Sequence, residues 1–309
     1  MGGSNVTDDK TPAAASQDLR IAIGIDWSDQ SFSAVQQTLL LFCPKAITLV
    51  HGVDLGIFEY PTVAGAAALQ GYEEFRQAML DAGQELLQRT AALIPPNGIA
   101  VKQVYEVGSP ATVVLDQAEK TGADLVVMGA RGRGRVSELL LGSVSHRVLA
   151  HGTKTTLIVK GSPKRIRRAL IAIEGRQDAQ MIRDWLIAHP FRNPVELSIL
   201  TVIPSLQLAD PYNMASFEGW ADIAMNSAED LVKTTAASLM GSSSSVAVQV
   251  LSGDPAQTVA TRASAFDLLI VGSHSRRGVS RFLLGSVSHS IVHQAACSVL
   301  IVRSSQPGA

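Results

Sequence analysis

Short apolar runs alternate with amphipathic segments along most of the chain. Five runs in the first half are apolar enough to predict buried strands, at 21–25, 46–53, 99–108, 124–129 and 155–160. Near-continuous apolar strands are typical of a parallel sheet that helices cover on both faces. The pattern therefore predicts an α/β fold.

The segments between these strands carry apolar residues at helical spacing. Val35, Leu39 and Phe42 fall at i, i+4 and i+7, which predicts a helix that Ser28 or Asp29 can cap. Further helices are predicted around Phe75, Met79, Ala82 and Leu86, over 111–120, and from Gly142 and Ser143 onward.

The same order of elements recurs in the second half of the chain. Strand-like runs begin there at Arg168, Pro194, Ser244, Asp267 and Cys297. A chain of 309 residues is comfortable for two domains of about 150 residues each. We therefore expect a duplicated domain: a first half at 19–160, a short polar linker at 161–167 and a second half at 168–304. The small, polar residues 1–18 are expected to be disordered.

A glycine- and arginine-rich segment occurs once in each half. It reads GARGRGRVSELLLGS at 129–143 and GSHSRRGVSRFLLGS at 272–286. The first copy follows the fourth predicted strand and leads into a helix at Ser143. Glycines permit positive φ and let backbone N–H groups approach an anion, and a helix N-terminus adds further donors. With Asp26 at the end of the first strand, the segment predicts a crevice for a nucleotide.

The spacing of the first copy resembles the nucleotide-binding universal stress proteins. Gly129, Gly132 and the pair Gly142–Ser143 match that family's motif, and the resemblance extends over about residues 19–304. It implies two Rossmann-like domains (adenine nucleotide alpha hydrolase-like), each a five-stranded parallel sheet of order 3-2-1-4-5. It also implies ATP in the crevice, with Mg²⁺, and dimer-like pairing through the fifth strands. The residues that would hold the nucleotide are Gly24, Asp26, Gly52, Met128, Gly129, Arg131, Gly132, Gly142, Ser143 and Val144.

The first half departs from the family pattern at one position, and the second half at more. Gly52 stands where the family usually has valine, so any contact there must come from the backbone. In the second half Ser275 replaces Gly132, and Glu174 stands where Asp26 ends the first strand. The nucleotide is therefore expected mainly in the first half. The weaker second site comprises Glu174, Val202, Gly272, Ser275, Gly285, Ser286 and Val287.

Several enzyme classes lack support in the sequence. No glycine is followed by Lys-Ser or Lys-Thr as in a Walker loop, and no G-x-S-x-G elbow is present. The turn after the first strand reads DWSDQS, so a dinucleotide fingerprint is missing where that fold places it. Two functions remain: an ATP-binding regulatory module, or a slow ATP hydrolase, for which Glu138 is the only acid in the glycine segment. A nucleotide-free scaffold is a third reading.

Other candidate sites have plainer interpretations. His289 and His293 lie four apart on a predicted helix, but a two-histidine pair lacks the ligands of a metal site, and residues 147–150 offer His146 no matching partner. We therefore predict no metal ligands. The basic run at 164–168 is read as a solvated linker rather than a nucleic-acid contact. Cys43 and Cys297 are read as small core residues, with redox sensing as the alternative.

Charge and composition narrow the partners. The formal net charge is −1, so neither nucleic acid nor an anionic membrane is an expected partner. Two cysteines suit a reducing compartment, and with no signal-like or membrane-spanning pattern we expect a cytoplasmic protein. The apolar runs TLIV at 156–159 and VLIV at 299–302 should pair and join the halves into a pseudo-dimer. A homodimer of the whole chain and an unidentified protein partner remain open.

Overall fold

The computed structural model describes residues 18–56, 71–131, 141–205, 214–240, 245–273 and 284–304. The first half contains, in chain order, β1 (Arg20–Gly24), α1 (Asp29–Leu41), β2 (Ala46–Val53), α2 (Tyr72–Ala91), β3 (Ala100–Val107), α3 (Pro110–Lys120), β4 (Leu125–Gly129), α4 (Ser143–His151) and β5 (Thr155–Val159). The second half contains β6 (Arg168–Ala172), α5 (Arg176–Ala188), β7 (Glu196–Pro204), α6 (Met214–Leu239), β8 (Ser245–Gly253), α7 (Pro255–Ala263), β9 (Leu268–Gly272), α8 (Ser286–Gln294) and β10 (Ser298–Val302).

The ten strands within the described residues form one continuous sheet. Its order is β3-β2-β1-β4-β5-β10-β9-β6-β7-β8, so each half repeats the expected order 3-2-1-4-5. Pairing within each half is parallel. Buried apolar side chains pack on both faces of the sheet. The α/β fold class is confirmed.

The two halves join through their fifth strands, as predicted. β5 and β10 pair antiparallel, with Leu157 opposite Leu300 and Ile158 opposite Val299. Leu157 and Leu300 occupy equivalent positions in the two halves. The strand pair therefore lies on a pseudo-twofold axis that relates the first half to the second.

The inward face of α2 does not include every residue that marked this helix in the sequence. Phe75 is 45% exposed. The buried side of α2 is instead formed by residues of its C-terminal half: Gly83, Leu86, Leu87 and Thr90. This half packs against β2 and β3, whereas the first turn of the helix contributes no buried residue.

Two further expectations concern the chain's ends and membranes. Of the segment predicted to be disordered, 1–18, only Asp18 belongs to the described residues. None of the helices that the structure describes combines the length and apolar character needed to cross a membrane.

Candidate functional site

A cavity of about 570 Å³ opens where the carboxyl ends of β1 and β4 meet the N-terminus of α4. In a doubly wound sheet this is the crevice at which strand order reverses. Nine of the ten residues predicted for the first site line this cavity: Gly24, Asp26, Gly52, Met128, Gly129, Arg131, Gly142, Ser143 and Val144. The tenth, Gly132, lies outside the described residues, as do Arg133, Arg135 and Glu138.

Asp26 is held in place by Ser28. The backbone N–H of Ser28 donates to Asp26 Oδ1 at 3.0 Å, and the Ser28 hydroxyl makes a short hydrogen bond to the same oxygen. The Ser28 Oγ also lies 3.2 Å from the Arg131 carbonyl oxygen. Ser28 was predicted only as a helix cap, and it does cap α1 by accepting from the N–H of Ser31 at 3.3 Å. It therefore also links the two sides of the cavity, which helix-capping rules alone could not indicate.

The glycines of the site make room for close packing. A Cβ added to Gly24 would lie 2.5 Å from Met128 Sδ, and one on Gly52 would lie 2.5 Å from Pro110 Cα. A Cβ on Gly129 would lie 2.8 Å from the carbonyl carbon of Gln30, at the start of α1. Gly52 therefore allows the first turn of α3 to pack directly on β2.

Positive φ does not explain the glycines of this site that the structure describes. Gly142 has φ −66° and ψ 155°, values open to any residue. Neither Gly129 nor Gly142 is among the positive-φ glycines. Close approach of neighbouring elements explains Gly129 instead.

The N-terminus of α4 faces the cavity without a side-chain cap. Gly142, Ser143, Val144 and Ser145 line the cavity, and the N-cap Gly142 offers no side chain. Ser145 Oγ donates to the Gly129 carbonyl at 2.7 Å and so fixes the helix to the end of β4. The first N–H groups of a helix have no intrahelical partner and carry a partial positive charge. This end of the cavity therefore suits an anion.

One part of the cavity wall is apolar. Val50, Pro110, Val114 and Met128 line it, and sequence reasoning identified only Met128 among them. His51 also borders the cavity, but it alternates with Val50 along β2, and a Cβ on Gly83 of α2 would lie 2.9 Å from its ring. Its Nδ1 lies 2.8 Å from the Ile25 carbonyl oxygen. The imidazole therefore supports the end of β1 from the other face of the sheet.

The second half keeps the framework but changes the contacts. Thr201 takes the place of His51 and donates to the Ile173 carbonyl at 2.8 Å. Glu174 is exposed, and Arg176 stands where Ser28 stands in the first half. Near Gly272 the side chain of Asp178 approaches, so that a Cβ there would lie 2.7 Å from Asp178 Oδ1. Ser275, Arg276 and Arg277 lie outside the described residues.

The remaining members of the second site occupy equivalent positions. Val202 is half-buried on β7 where Gly52 stands on β2, while Ser286 and Val287 are exposed in the first turn of α8. Gly285 is the N-cap of α8, and Ser288 Oγ donates to the Gly272 carbonyl at 2.8 Å, as Ser145 does to Gly129. The helix N-terminus is thus retained, whereas the groups that position Asp26 are replaced.

The contacts of the basic linker and of the two cysteines favour structural roles for these residues. Lys164 Nζ lies 2.9 Å from Asp267 Oδ1. Cys43 is exposed, and its Sγ accepts from Arg192 Nε at 3.4 Å. Cys297 is buried, and burial raises the pKa of its thiol to about 11. That thiol therefore stays protonated at neutral pH, the unreactive form.

Comparison with known proteins identifies relatives along nearly the whole chain. The sequence profile of the universal stress protein family matches twice, at residues 19–160 and 165–303. A universal stress protein of Mycolicibacterium smegmatis is 26% identical over 296 residues, covering 92% of this chain and 96% of that protein.

Solved structures share the fold. A universal stress protein from Archaeoglobus fulgidus superposes with a TM-score of 0.61 at 19% identity, covering 93% of this chain and 97% of that one. A universal stress protein in complex with cAMP matches the length of only one half: it covers 46% of this chain and 100% of its own, at 17% identity and a TM-score of 0.34.

Proposed function

The chain belongs to the universal stress protein family, and from that membership we propose that it is an ATP-binding regulatory module with its nucleotide mainly in the first half. The single observation that carries the proposal is the cavity of about 570 Å³ between β1, β4 and the N-terminus of α4. Its volume lies within the roughly 300–1,000 Å³ of small-molecule sites.

The two ends of the cavity suit the two ends of a nucleotide. The apolar wall of Val50, Pro110, Val114 and Met128 would pack against the adenine and ribose. The uncapped N-terminus of α4 and the side chain of Arg131 would hold the phosphates. Mg²⁺ accompanies the triphosphate in this proposal, with phosphate oxygens among its ligands.

Asp26 sets the identity of the base in this proposal. Ser28 fixes its carboxylate at the end of β1, where Asp26 lines the cavity. A carboxylate accepts hydrogen bonds but donates none, so it favours the amino group of adenine. In the second half Arg176 stands at the position of Ser28, and Glu174, which is one methylene longer, stands at the position of Asp26. We therefore place one tight ATP per chain in the first half.

Binding is favoured over hydrolysis. Asp26 is the only carboxylate among the described residues that line the cavity, and its hydrogen bonds go to Ser28. Phosphoryl transfer needs a group that orients the attacking water. Phosphate release should therefore fall far below the roughly 1–100 per second of dedicated phosphotransferases. A nucleotide-free scaffold is the remaining alternative. Titration with Mg²⁺-ATP distinguishes it from an ATP-binding module.

Calorimetric titration of the nucleotide-free chain with Mg²⁺-ATP tests the proposal, using two matched variants. Ser143 and Ser286 are both exposed, and each is the first residue of its helix. Ser143→Glu places a negative charge where phosphates would bind, yet an acid in the first turn is favourable to the helix itself. We expect about one equivalent of ATP for the wild type and at least a tenfold loss of affinity for Ser143→Glu.

Ser286→Glu is the control and should leave ATP binding unchanged. Two equivalents of equal affinity would show that the second half binds as well as the first. No binding to the wild type would support the scaffold, and steady phosphate release would support the hydrolase.

The proposal extends to location and partners. A cytoplasmic location is supported by the two unpaired cysteines, which suit a reducing compartment. A second copy of the chain is one candidate partner, because the edge strand β3 carries the exposed residues Val101, Tyr105 and Val107. Sedimentation velocity over a range of protein concentrations, with and without ATP, would detect that homodimer. A distinct protein partner would read the nucleotide state through α4.

A further inference from the structure

Three histidines from the two halves meet beside the pseudo-twofold axis. His146 comes from α4, whereas His289 and His293 come from α8. One ring nitrogen of each lies within 4.8 Å of the others. The Nε2 atoms of His146 and His289 are 3.0 Å apart, and the rings of His289 and His293 have centroids 4.5 Å apart.

The cluster follows from the repeat. Both helices open with the sequence Ser-Val-Ser-His, so His146 and His289 are equivalent residues separated by 143 positions. The antiparallel pairing of β5 and β10 brings these two helices together across the axis. His293 lies one turn beyond His289, on the same face of α8. Its counterpart in α4 is Ala150, so only one half supplies a third histidine.

The sequence prediction of no metal ligands rested on treating each half by itself. It gave His289 and His293 no third ligand, and it gave His146 no partner within α4. The structure supplies both from the opposite half, since His146 Nε2 lies beside His289 Nε2. A contact across the junction of two domains has no signal in local spacing.

The spacing of the nitrogens fits a transition metal. Ligands of a tetrahedral ion with bonds of about 2.0–2.1 Å lie roughly 3.3 Å apart. His146 and His289 are already near that spacing. The His293 nitrogen lies within 4.8 Å of the other two ligand nitrogens. It therefore needs to move at most about 1.5 Å closer to reach the tetrahedral spacing.

The polar groups of the cluster are incompletely satisfied without an ion. Nε2 of His293 is buried and has no hydrogen-bond partner in the part of the chain that the structure describes. A buried polar atom without a partner is costly, and a bound ion would satisfy it. Lys160 interacts electrostatically with His293. Its ammonium does not satisfy the His293 nitrogen, because it donates to the backbone carbonyls of Val292 and Ala295.

We propose that His146, His289 and His293 bind one divalent transition-metal ion, such as Zn²⁺, between the two halves of the chain. Imidazole nitrogen suits Zn²⁺, Co²⁺, Ni²⁺ and Cu²⁺, whereas Mg²⁺ prefers oxygen ligands. The fourth ligand is water, because three protein ligands leave one tetrahedral position open. The ion ties α4 to α8, and the site is independent of the proposed nucleotide function.

Metal binding to the full-length chain tests this assignment. Every protein carries Cys43→Ser, which removes an exposed thiol that could bind the ion elsewhere. We expect one equivalent of Zn²⁺ by competition titration with a chromogenic chelator, and visible absorption bands of tetrahedral Co²⁺. His146→Ala and His293→Ala should each weaken binding at least as much as the ~10–100-fold that loss of a second-shell partner costs. Metal should also raise the thermal midpoint of the wild type but not of these two variants.

Two features of the chain provide controls. His151→Gln changes an exposed histidine on α4 to the residue found at the equivalent place in α8, Gln294, and should leave metal affinity unchanged. His293→Ala likewise introduces the residue of its counterpart, Ala150, so it should fold normally in the presence of a chelator. Absence of a 1:1 complex, unchanged affinity in both alanine variants, or an equal loss in His151→Gln would overturn the proposal.

Discussion

The ammonium of Lys160, at the end of β5, donates a hydrogen bond of 2.7 Å to the backbone carbonyl of Val292 in α8 of the other half. The equivalent contact runs in the opposite direction, where Arg303 Nη2 donates to the Leu149 carbonyl of α4 at 2.5 Å. The backbone contacts repeat as well: Lys160 N donates to Ser298 Oγ, and Arg303 N donates to Thr155 Oγ1. Each half therefore places a cation near the C-terminus of the other half's helix, where the helix dipole favours positive charge.

Lys160 should make stability depend on pH in a defined direction. Burial lowers the pKa of Lys160 from 10.5 to about 8 in the folded chain. Between pH 8 and 10.5 the unfolded chain therefore holds the proton that the folded chain has lost. Stability from this group then rises with pH across that window. From pH 8 to 10.5 the unfolding free energy of the wild type should rise by on the order of 1–3 kcal/mol relative to that of Lys160→Met.

Arg303→Met is the matched control for this measurement. Burial lowers the pKa of Arg303, but arginine remains charged across the same window. Its difference from wild type should be flat with pH. All three proteins should carry Cys297→Ala, because the thiol, with its pKa raised to about 11, titrates in the same range. A flat difference for Lys160→Met would contradict the prediction.

The packing of Gly24 against Met128 predicts a compensating pair of substitutions. A Cβ on Gly24 would lie 2.5 Å from Met128 Sδ, and the second half has Ala172 and Val271 at these positions. Gly24→Ala alone should cost about 1–3 kcal/mol by overpacking. Met128→Val alone should cost about 1 kcal/mol through the space it leaves. The double variant should be more stable than the sum of the two costs predicts, as measured by urea unfolding.

A double-mutant cycle quantifies that coupling. The interaction energy should favour the pair by roughly 0.5–3 kcal/mol. A control cycle of Gly24→Ala with a distant change such as Glu85→Gln, on the exposed side of α2, should be additive. Additivity in both cycles would show that the two positions do not share one space.

Removal of the Ser28 hydroxyl should lower the stability of the folded chain. Ser28 caps α1 and holds the Asp26 carboxylate. Ser28→Ala should therefore lower the unfolding free energy by about 1 kcal/mol. Ser109 provides the comparison, because it occupies the N-cap of α3 without a side-chain capping bond. Ser109→Ala should change stability by no more than about 0.5 kcal/mol. Equal losses would mean that the Ser28 cap contributes nothing.

Asp26→Ala should alter the choice of base more than the affinity for phosphates. The carboxylate follows the end of β1 and lines the same cavity as the N-terminus of α4. We expect ATP affinity to fall by about tenfold or more, whereas inorganic triphosphate should bind as before. Titrations with ATP, GTP and triphosphate measure the two effects separately. A parallel loss for all three ligands would place Asp26 beside the phosphates instead.

The strand arrangement could be predicted from the sequence because its signals are local or repeated. Apolar runs located each of the ten strands that the structure describes, and the likeness of TLIV to VLIV indicated the pairing that Leu157 and Leu300 make. Nine residues that line the cavity were implied by the resemblance to the universal stress proteins, whereas Val50, Pro110 and Val114 were not.

Other features depend on which surfaces meet, and the sequence alone could not indicate them. The approach of Pro110 to Gly52 and the contact of His146 with His289 both join residues distant in sequence. The spacing of apolar residues around Phe75 correctly predicted a helix. It could not indicate that the first turn of this helix leaves Phe75 exposed. The exchange of Gly24 and Met128 for Ala172 and Val271 becomes meaningful only once the close contact is known.

The pairing of β5 with β10 inside one polypeptide has an evolutionary consequence. In a dimer of two identical subunits, every substitution appears on both sides of the axis, so a residue near that axis always meets its own copy. A fused gene removes this constraint, because each half mutates separately. His293 with its counterpart Ala150, and Ser28 with its counterpart Arg176, are differences that two identical subunits could not carry on one side alone. Gene fusion would thus allow one half to lose a ligand pocket while its partner retains it.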